Sequence, residues 1–195
     1  MRPPELTAAL GPVLQTLQSL GVRHYVGGSI ASSAHGVARA SVDADLVAEL
    51  RPEHAQRLID ALQDAYYVPD ARIRDAIARR TSFNVIHLDT MLKVDVFVSK
   101  DRPYDRRAME RSRVESSGTA GDLRMPLASA EDTVLAKLEW FRRGGESSQR
   151  QWGDVLGVLR AGVATLDRSY MQVGARELGV GDLLERAVLE AGAGG

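Results

Sequence analysis

From Leu92 to Val98 the chain alternates without a break, with Leu92, Val94, Val96 and Val98 on one side and Lys93, Asp95 and Phe97 on the other. A period of two is what an extended strand needs to set one face against a core. A helix through the same residues would scatter its apolar groups around the axis. The segment therefore demands a sheet with one apolar face covered and the other bearing Lys93 and Asp95. Residues 42–50 have the same texture, with Val42, Ala44 and Leu46 on one face and Asp43 and Asp45 on the other. Residues 83–88 read as the hairpin partner of 91–98 across Asp89-Thr90. His24-Tyr25-Val26 is a short strand, and 123–127 a last strand at the sheet edge, where Pro126 is tolerated.

Between these runs the apolar spacing is helical over 5–20, 30–35, 52–66 and 70–80, and 101–122 reads as a helix followed by a loop. After Pro126 only helical patterns remain. Ser129-Ala130-Glu131-Asp132, a capping box with Asp in place of Glu or Gln, opens a helix through Arg142, and three more follow over 149–159, 167–178 and 182–191. The expected fold is α+β: a mixed β-sheet flanked by helices over 1–126, then a small helical bundle over 127–195.

A chain of 195 residues suits one compact domain, or a core with a small appendage. Without cysteine it has no disulfide or thiolate chemistry. The balance of 25 basic against 26 acidic residues excludes a protein that coats nucleic acid through bulk charge. No apolar run approaches the ~18 residues of a membrane span, and the first residues lack a signal-peptide pattern, so no membrane association and a cytoplasmic location are expected. Only three of the basic residues are lysines, Lys93, Lys100 and Lys137.

Asp43 and Asp45 share a strand face, where two carboxylates repel unless a proton or a cation sits between them. A hard divalent cation such as Mg²⁺ is the natural partner for these oxygens. Asp95, a charge within an apolar strand, joins them if the two strands are neighbours. Gly27-Gly28-Ser29 lies between a strand and a helix, where glycines let backbone N–H groups approach a phosphate. Each feature has an ordinary structural reading: a solvated strand edge, a simple turn, an exposed aspartate. Their order along the chain, each on the element the chemistry requires, points to metal-assisted phosphoryl transfer.

On these residues the chain resembles the nucleotidyltransferase superfamily typified by DNA polymerase beta. The signature reads here as Val26-Gly27-Gly28-Ser29, then Asp43-Ala44-Asp45, then Asp95 within Lys93-Val94-Asp95-Val96-Phe97. More narrowly, it is similar to small prokaryotic nucleotidyltransferases related to abortive-infection toxins, through Arg39 ahead of the aspartate pair and the Ala136-Lys137-Leu138 helix. Their downstream Arg-Asp segment has its counterpart in Gln151-Trp152-Gly153-Asp154, with Gly153 where the arginine stands.

The resemblance implies a nucleotidyltransferase-like fold and metal-dependent transfer of a nucleoside monophosphate from an NTP such as ATP to a hydroxyl acceptor. Asp43, Asp45 and Asp95 would hold Mg²⁺ or Mn²⁺, and Gly28, Ser29, Arg39 and Lys137 would bind the nucleotide. A lysine on an amphipathic helix is equally expected to be solvated, so both readings of Lys137 stand. RNA, a protein or a small molecule such as an aminoglycoside would serve as acceptor. A toxin–antitoxin setting, with an antitoxin partner, is implied too, and a homo-oligomer is compatible. The alternative is a non-catalytic nucleotide-binding or regulatory module on the same fold.

Other chemistries fit less well. The histidines at 24, 35, 54 and 87 lack zinc-ligand spacing, His35 reads as structural, and no Gly-x-Ser-x-Gly elbow exists. The arginines at 102, 106, 107, 111 and 113 alternate with acidic residues, which favours a salt-bridged solvated helix over an RNA groove. Trp140, Phe141 and Trp152 have a spacing that favours the bundle core over a base-stacking platform.

Overall fold

The structure, a computed structural model, describes residues 3–36, 43–116, 123–162 and 164–192. Arg39 lies outside them. The elements run α1 (Pro3–Ser19), β1 (His24–Val26), α2 (Gly28–His35), β2 (Asp43–Ala48), α3 (Ala55–Leu62), β3 (Tyr66–Tyr67), α4 (Asp70–Arg79), β4 (Ser82–His87), β5 (Lys93–Val98), α5 (Pro103–Arg111), β6 (Arg113–Ser116) and β7 (Arg124–Leu127). Then come α6 (Ala130–Arg143), α7 (Gln149–Ala161), α8 (Arg168–Leu178) and α9 (Gly181–Gly192). The seven strands form one mixed sheet in the order β3-β4-β5-β2-β1-β7-β6. Its central pairs are β2–β5, parallel, and β1–β2, antiparallel. Among the described residues no helix is long and apolar enough to cross a membrane.

Strand alternation divides the molecule. Ala44, Leu46 and Ala48 of β2 and Val94, Val96 and Val98 of β5 are buried against α1, α3 and α4 in one apolar cluster. Each of the valine and leucine side chains among them contributes about 1.5–3 kcal/mol when fully buried. A second cluster joins α5 to α9 with Tyr25 and Ala31, and Val47 packs against it from the sheet's other face. The two stripes read from the sequence thus become the two sides of one sheet.

The structure departs from the sequence reading in three places. The helix read over 52–66 ends at Leu62, and Tyr66 instead begins β3, paired with His87. Its ring is buried and its hydroxyl donates to the Ala9 carbonyl at 2.8 Å, a tertiary contact that overrides the local helical pattern. Second, the expected loop after α5 contains β6. All four of its residues are exposed, so no apolar face announces it. Third, β7 is not an edge strand, because β6 covers it. Pro126 is still accommodated: β1 meets β7 only at Val26 and Leu127, beyond the ring that lacks an N–H.

Candidate functional site

The parallel register of β2 and β5 sets Asp43 opposite Lys93, Asp45 opposite Asp95 and Val47 opposite Phe97. These residues point away from the first core, so the three aspartates share one face, as the alternation implies. The β1–α2 turn closes over them. Gly27 N–H donates to the Asp45 carbonyl at 2.9 Å, and the Ser29 backbone N–H donates to the Asp45 carboxylate. Gly28 opens α2 with φ 55°, a conformation that favours glycine. A Cβ there would stand 1.8 Å from Asp45 Oδ2. The second glycine is thus what lets a helix N-terminus, with its partial positive charge, sit directly on a carboxylate.

Burial pushes the Asp45 carboxyl above the usual range, and the neighbouring Asp43 and Asp95 push it further; Lys137 and the Ser29 N–H oppose the shift. Lys93 answers the other two carboxylates. Its ammonium lies 2.7 Å from Asp95 and 4.0 Å from Asp43, and the hydrogen bond to Asp95 raises its pKa. Among the described residues no group of three or more acidic or imidazole side chains is arranged to hold a metal ion as the side chains stand. The donor chemistry still fits a hard divalent cation: all three groups are carboxylates on one face, with a mutual repulsion that a cation relieves.

Lys137 is buried on α6 rather than solvated, and its ammonium donates to Asp154 Oδ2 at 2.8 Å. Asp154, left without an arginine neighbour by Gly153, is therefore the ion partner of Lys137 across α6 and α7. No local spacing could reveal a pair seventeen residues apart on two helices. The available signal was a carboxylate beside the buried Trp152, Val155 and Leu156. A cavity of about 330 Å³ runs from Gly28 and Asp45 past Lys137 to Phe97 and Trp140.

Trp140 is the one aromatic of its trio that the bundle does not bury: it is 44% exposed, against 3% for Phe141 and 5% for Trp152. Its place on the helix turns it to the cavity, which corrects the core assignment. The arginine run is salt-bridged as read: Arg102 binds Asp105 and Glu139, Arg106 binds Asp101, and Arg107 binds Glu177. His35 is structural, its Nε2 2.7 Å from the Ala128 carbonyl.

A further polar network, not foreseen, surrounds the buried Asp132 at the start of α6. Tyr170 donates to its carboxylate at 2.6 Å and Ser129 at 2.7 Å, and Arg111 stacks on the Tyr170 ring at 4.1 Å. The capping pattern is realised as Asp132 N–H donating to Ser129 Oγ.

No protein-family model and no curated protein matches the sequence. Solved structures do match. The antibiotic-resistance factor ANT(2'')-Ia, described as showing substrate-regulated conformation dynamics, aligns over 97% of this chain and 97% of its own at 13% identity, with a TM-score of 0.57. An antigenic nucleotidyltransferase-like protein from Paracoccidioides brasiliensis aligns over 96% of this chain and 94% of its own at 15% identity, with a TM-score of 0.54. Both likenesses extend through the sheet and the helices that follow it. The chain has the nucleotidyltransferase fold.

Proposed function

We propose that the chain is a metal-dependent nucleotidyltransferase, moving a nucleoside monophosphate from an NTP to a hydroxyl acceptor. The observation that carries this reading is the in-register pairing of Asp45 with Asp95, with Asp43 on the same face and the α2 N-terminus closed onto Asp45 through Gly28. In this reading Asp43, Asp45 and Asp95 hold Mg²⁺ or Mn²⁺, which when bound offsets triphosphate charge and acidifies the attacking hydroxyl. The backbone of Gly28 and Ser29 binds the β- and γ-phosphates. Lys137, oriented by Asp154, supplies a point charge toward the triphosphate. The acceptor oxygen forms a bond to the α-phosphorus, its proton goes to the Asp95 carboxylate, and the bond to the β-phosphate breaks to release pyrophosphate.

The acceptor is RNA, a protein hydroxyl or a small molecule. The likeness to ANT(2'')-Ia, an antibiotic-resistance factor, favours an antibiotic as the small-molecule member of that set. Incubation with Mg²⁺ or Mn²⁺ and each α-labelled triphosphate, offering tRNA, cell protein and aminoglycosides in turn, tests the reading. Label transfer that disappears in Asp43→Ala is the expected result.

One observation favours a second reading, a nucleotide-binding module without turnover. Lys93 already supplies a tethered positive charge to Asp95. Nucleotide binding unchanged by Asp45→Ala, with no transfer to any acceptor, would support the module and overturn the transferase.

A further inference from the structure

Thr133, Lys137, Trp140 and Arg143 recur at helical spacing on α6, and all four line the cavity. On the facing strand Phe97 follows Asp95 on the same side. Lys137 lies toward the carboxylates, while Trp140 meets Phe97 edge to face, with ring centres 5.4 Å apart and planes at 60°. Trp140 is about 4.5 Å past Lys137 along the helix axis, and Phe97 about 6.6 Å past Asp95 along the strand. The aromatic pair therefore lines the same cavity as Asp45.

Trp140 leaves 44% of its surface exposed where it lines the cavity. The carboxylates on this wall are already matched: Asp105 and Glu139 bind Arg102, and Glu139 also binds Arg143. Lys100 differs, forming no ion pair with another described residue while lining the same wall. Burial lowers its pKa and the nearby Arg143 and Arg102 add to that, while Glu139 and Asp105 oppose it. A cationic acceptor would find no unmatched carboxylate beside Trp140 among the described residues. Arg143 lies over the Trp140 ring at 5.4 Å, and a part-exposed ring flanked by that guanidinium and by Lys100 suits a nucleotide, whose base stacks on the ring and whose phosphate meets a cation.

We propose that the Phe97–Trp140 wall is a nucleobase-stacking subsite, with Lys100 meeting a phosphate of the same nucleotide. The inference rests on the transferase reading, which supplies two sources of that chemistry: the donor triphosphate and the terminal nucleotide of an RNA acceptor.

The chain has two tryptophans, so the Trp140 signal can be isolated by difference against Trp140→Phe. Fluorescence and calorimetric titrations with Mn²⁺ would use the four NTPs, inorganic tripolyphosphate and a single-stranded RNA tetranucleotide. Nucleotides are expected to quench Trp140 and tripolyphosphate to leave it unchanged. Trp140→Ala should weaken nucleotide binding roughly five- to one-hundred-fold, while Trp140→Phe, which keeps a ring, should lose the quench and retain the affinity. Quenching by mononucleotides assigns the subsite to the donor base; quenching by the tetranucleotide alone assigns it to the acceptor. Equal quenching by tripolyphosphate, or wild-type affinity in Trp140→Ala, overturns the subsite and leaves the transferase reading standing. A wild-type protein that binds neither triphosphate nor tetranucleotide overturns both.

Discussion

Gly27 and Gly28 are adjacent and chemically identical, yet the structure gives them opposite tolerance for a methyl group. A Cβ on Gly27 meets nothing nearer than Tyr25 Cε2 at 3.8 Å, and the residue's φ is −118°. A Cβ on Gly28 falls 1.8 Å from Asp45 Oδ2 and 2.5 Å from its Cγ, with φ at +55°. Real Cβ contacts stay above 3.0 Å, so Asp45 or the start of α2 must move by about 1.2 Å, the difference between 3.0 and 1.8 Å. The left-handed backbone adds about 1–2 kcal/mol for alanine, and overpacking adds typically about 1–3 kcal/mol. Gly28→Ala should therefore lose about 2–5 kcal/mol in urea unfolding. Gly27→Ala should stay within about 0.5 kcal/mol. If Asp45 carries the chemistry, a displacement near 1 Å should cost roughly 10²-fold in transfer rate, again for Gly28 alone. Equal stability loss in the two variants would refute the close-approach argument whatever the activity.

Lys93→Met removes the tethered cation from Asp95 and Asp43; for a pair this exposed, Mn²⁺ affinity followed by electron paramagnetic resonance should rise by up to about fivefold. Unchanged affinity would show that Lys93 does not compete for those carboxylates. Lys137 and Asp154 are both about 10% exposed, so Asp154→Ala strands a buried ammonium and should cost about 3–5 kcal/mol of stability. The double variant Lys137→Met/Asp154→Leu should recover most of that loss in the same unfolding assay while remaining inactive in transfer. Tyr170→Phe deletes a donor to the buried Asp132 and should destabilise by about 1–3 kcal/mol. Burial already raises the Asp132 carboxyl above its unfolded value, and losing the donor raises it further. The protonated form is the easier one to keep folded, so the loss should be larger at pH 8 than at pH 5 in paired unfolding curves.

The sequence made the sheet's two faces legible because a period of two assigns every side chain on β2 and β5 to a side once either strand is buried. It left their adjacency open: Asp95 becomes a neighbour of Asp45 only through a parallel pairing reached across β3, β4 and two helices. β6 was invisible because it buries nothing and joins the sheet through backbone pairing with β7 alone. Tyr66 was misassigned because the 52–66 pattern is helical locally, while its hydroxyl and ring are claimed by Ala9 and His87, distant in sequence. Trp140 was placed in the core because aromatic spacing on a helix does not say which neighbour ends short. Here adjacent residues point to different sides of α6, so Phe141 is buried and Trp140 is left at the cavity.

The two lysines at the site explain why the cavity stays open. Among the described residues Lys93 pairs with the aspartates on its own face alone, and its ammonium settles on Asp95. Lys137 enters from α6, close enough to oppose the upward shift of Asp45, yet it does not collapse onto that carboxylate because Asp154 holds it at 2.8 Å. Asp45 is consequently left without an ion pair among the described residues, with the α2 N-terminus as its close polar contact. The same stripe of charge also keeps α6, which touches this face at Phe97, from closing over the aspartates, since an apolar helix packed over Asp43, Asp45 and Asp95 would bury carboxylates that nothing on the helix could match. The alternation that drives Val94, Val96 and Val98 into one core thus creates the cavity on the other side. Asp154 then decides which aspartate stays available within it.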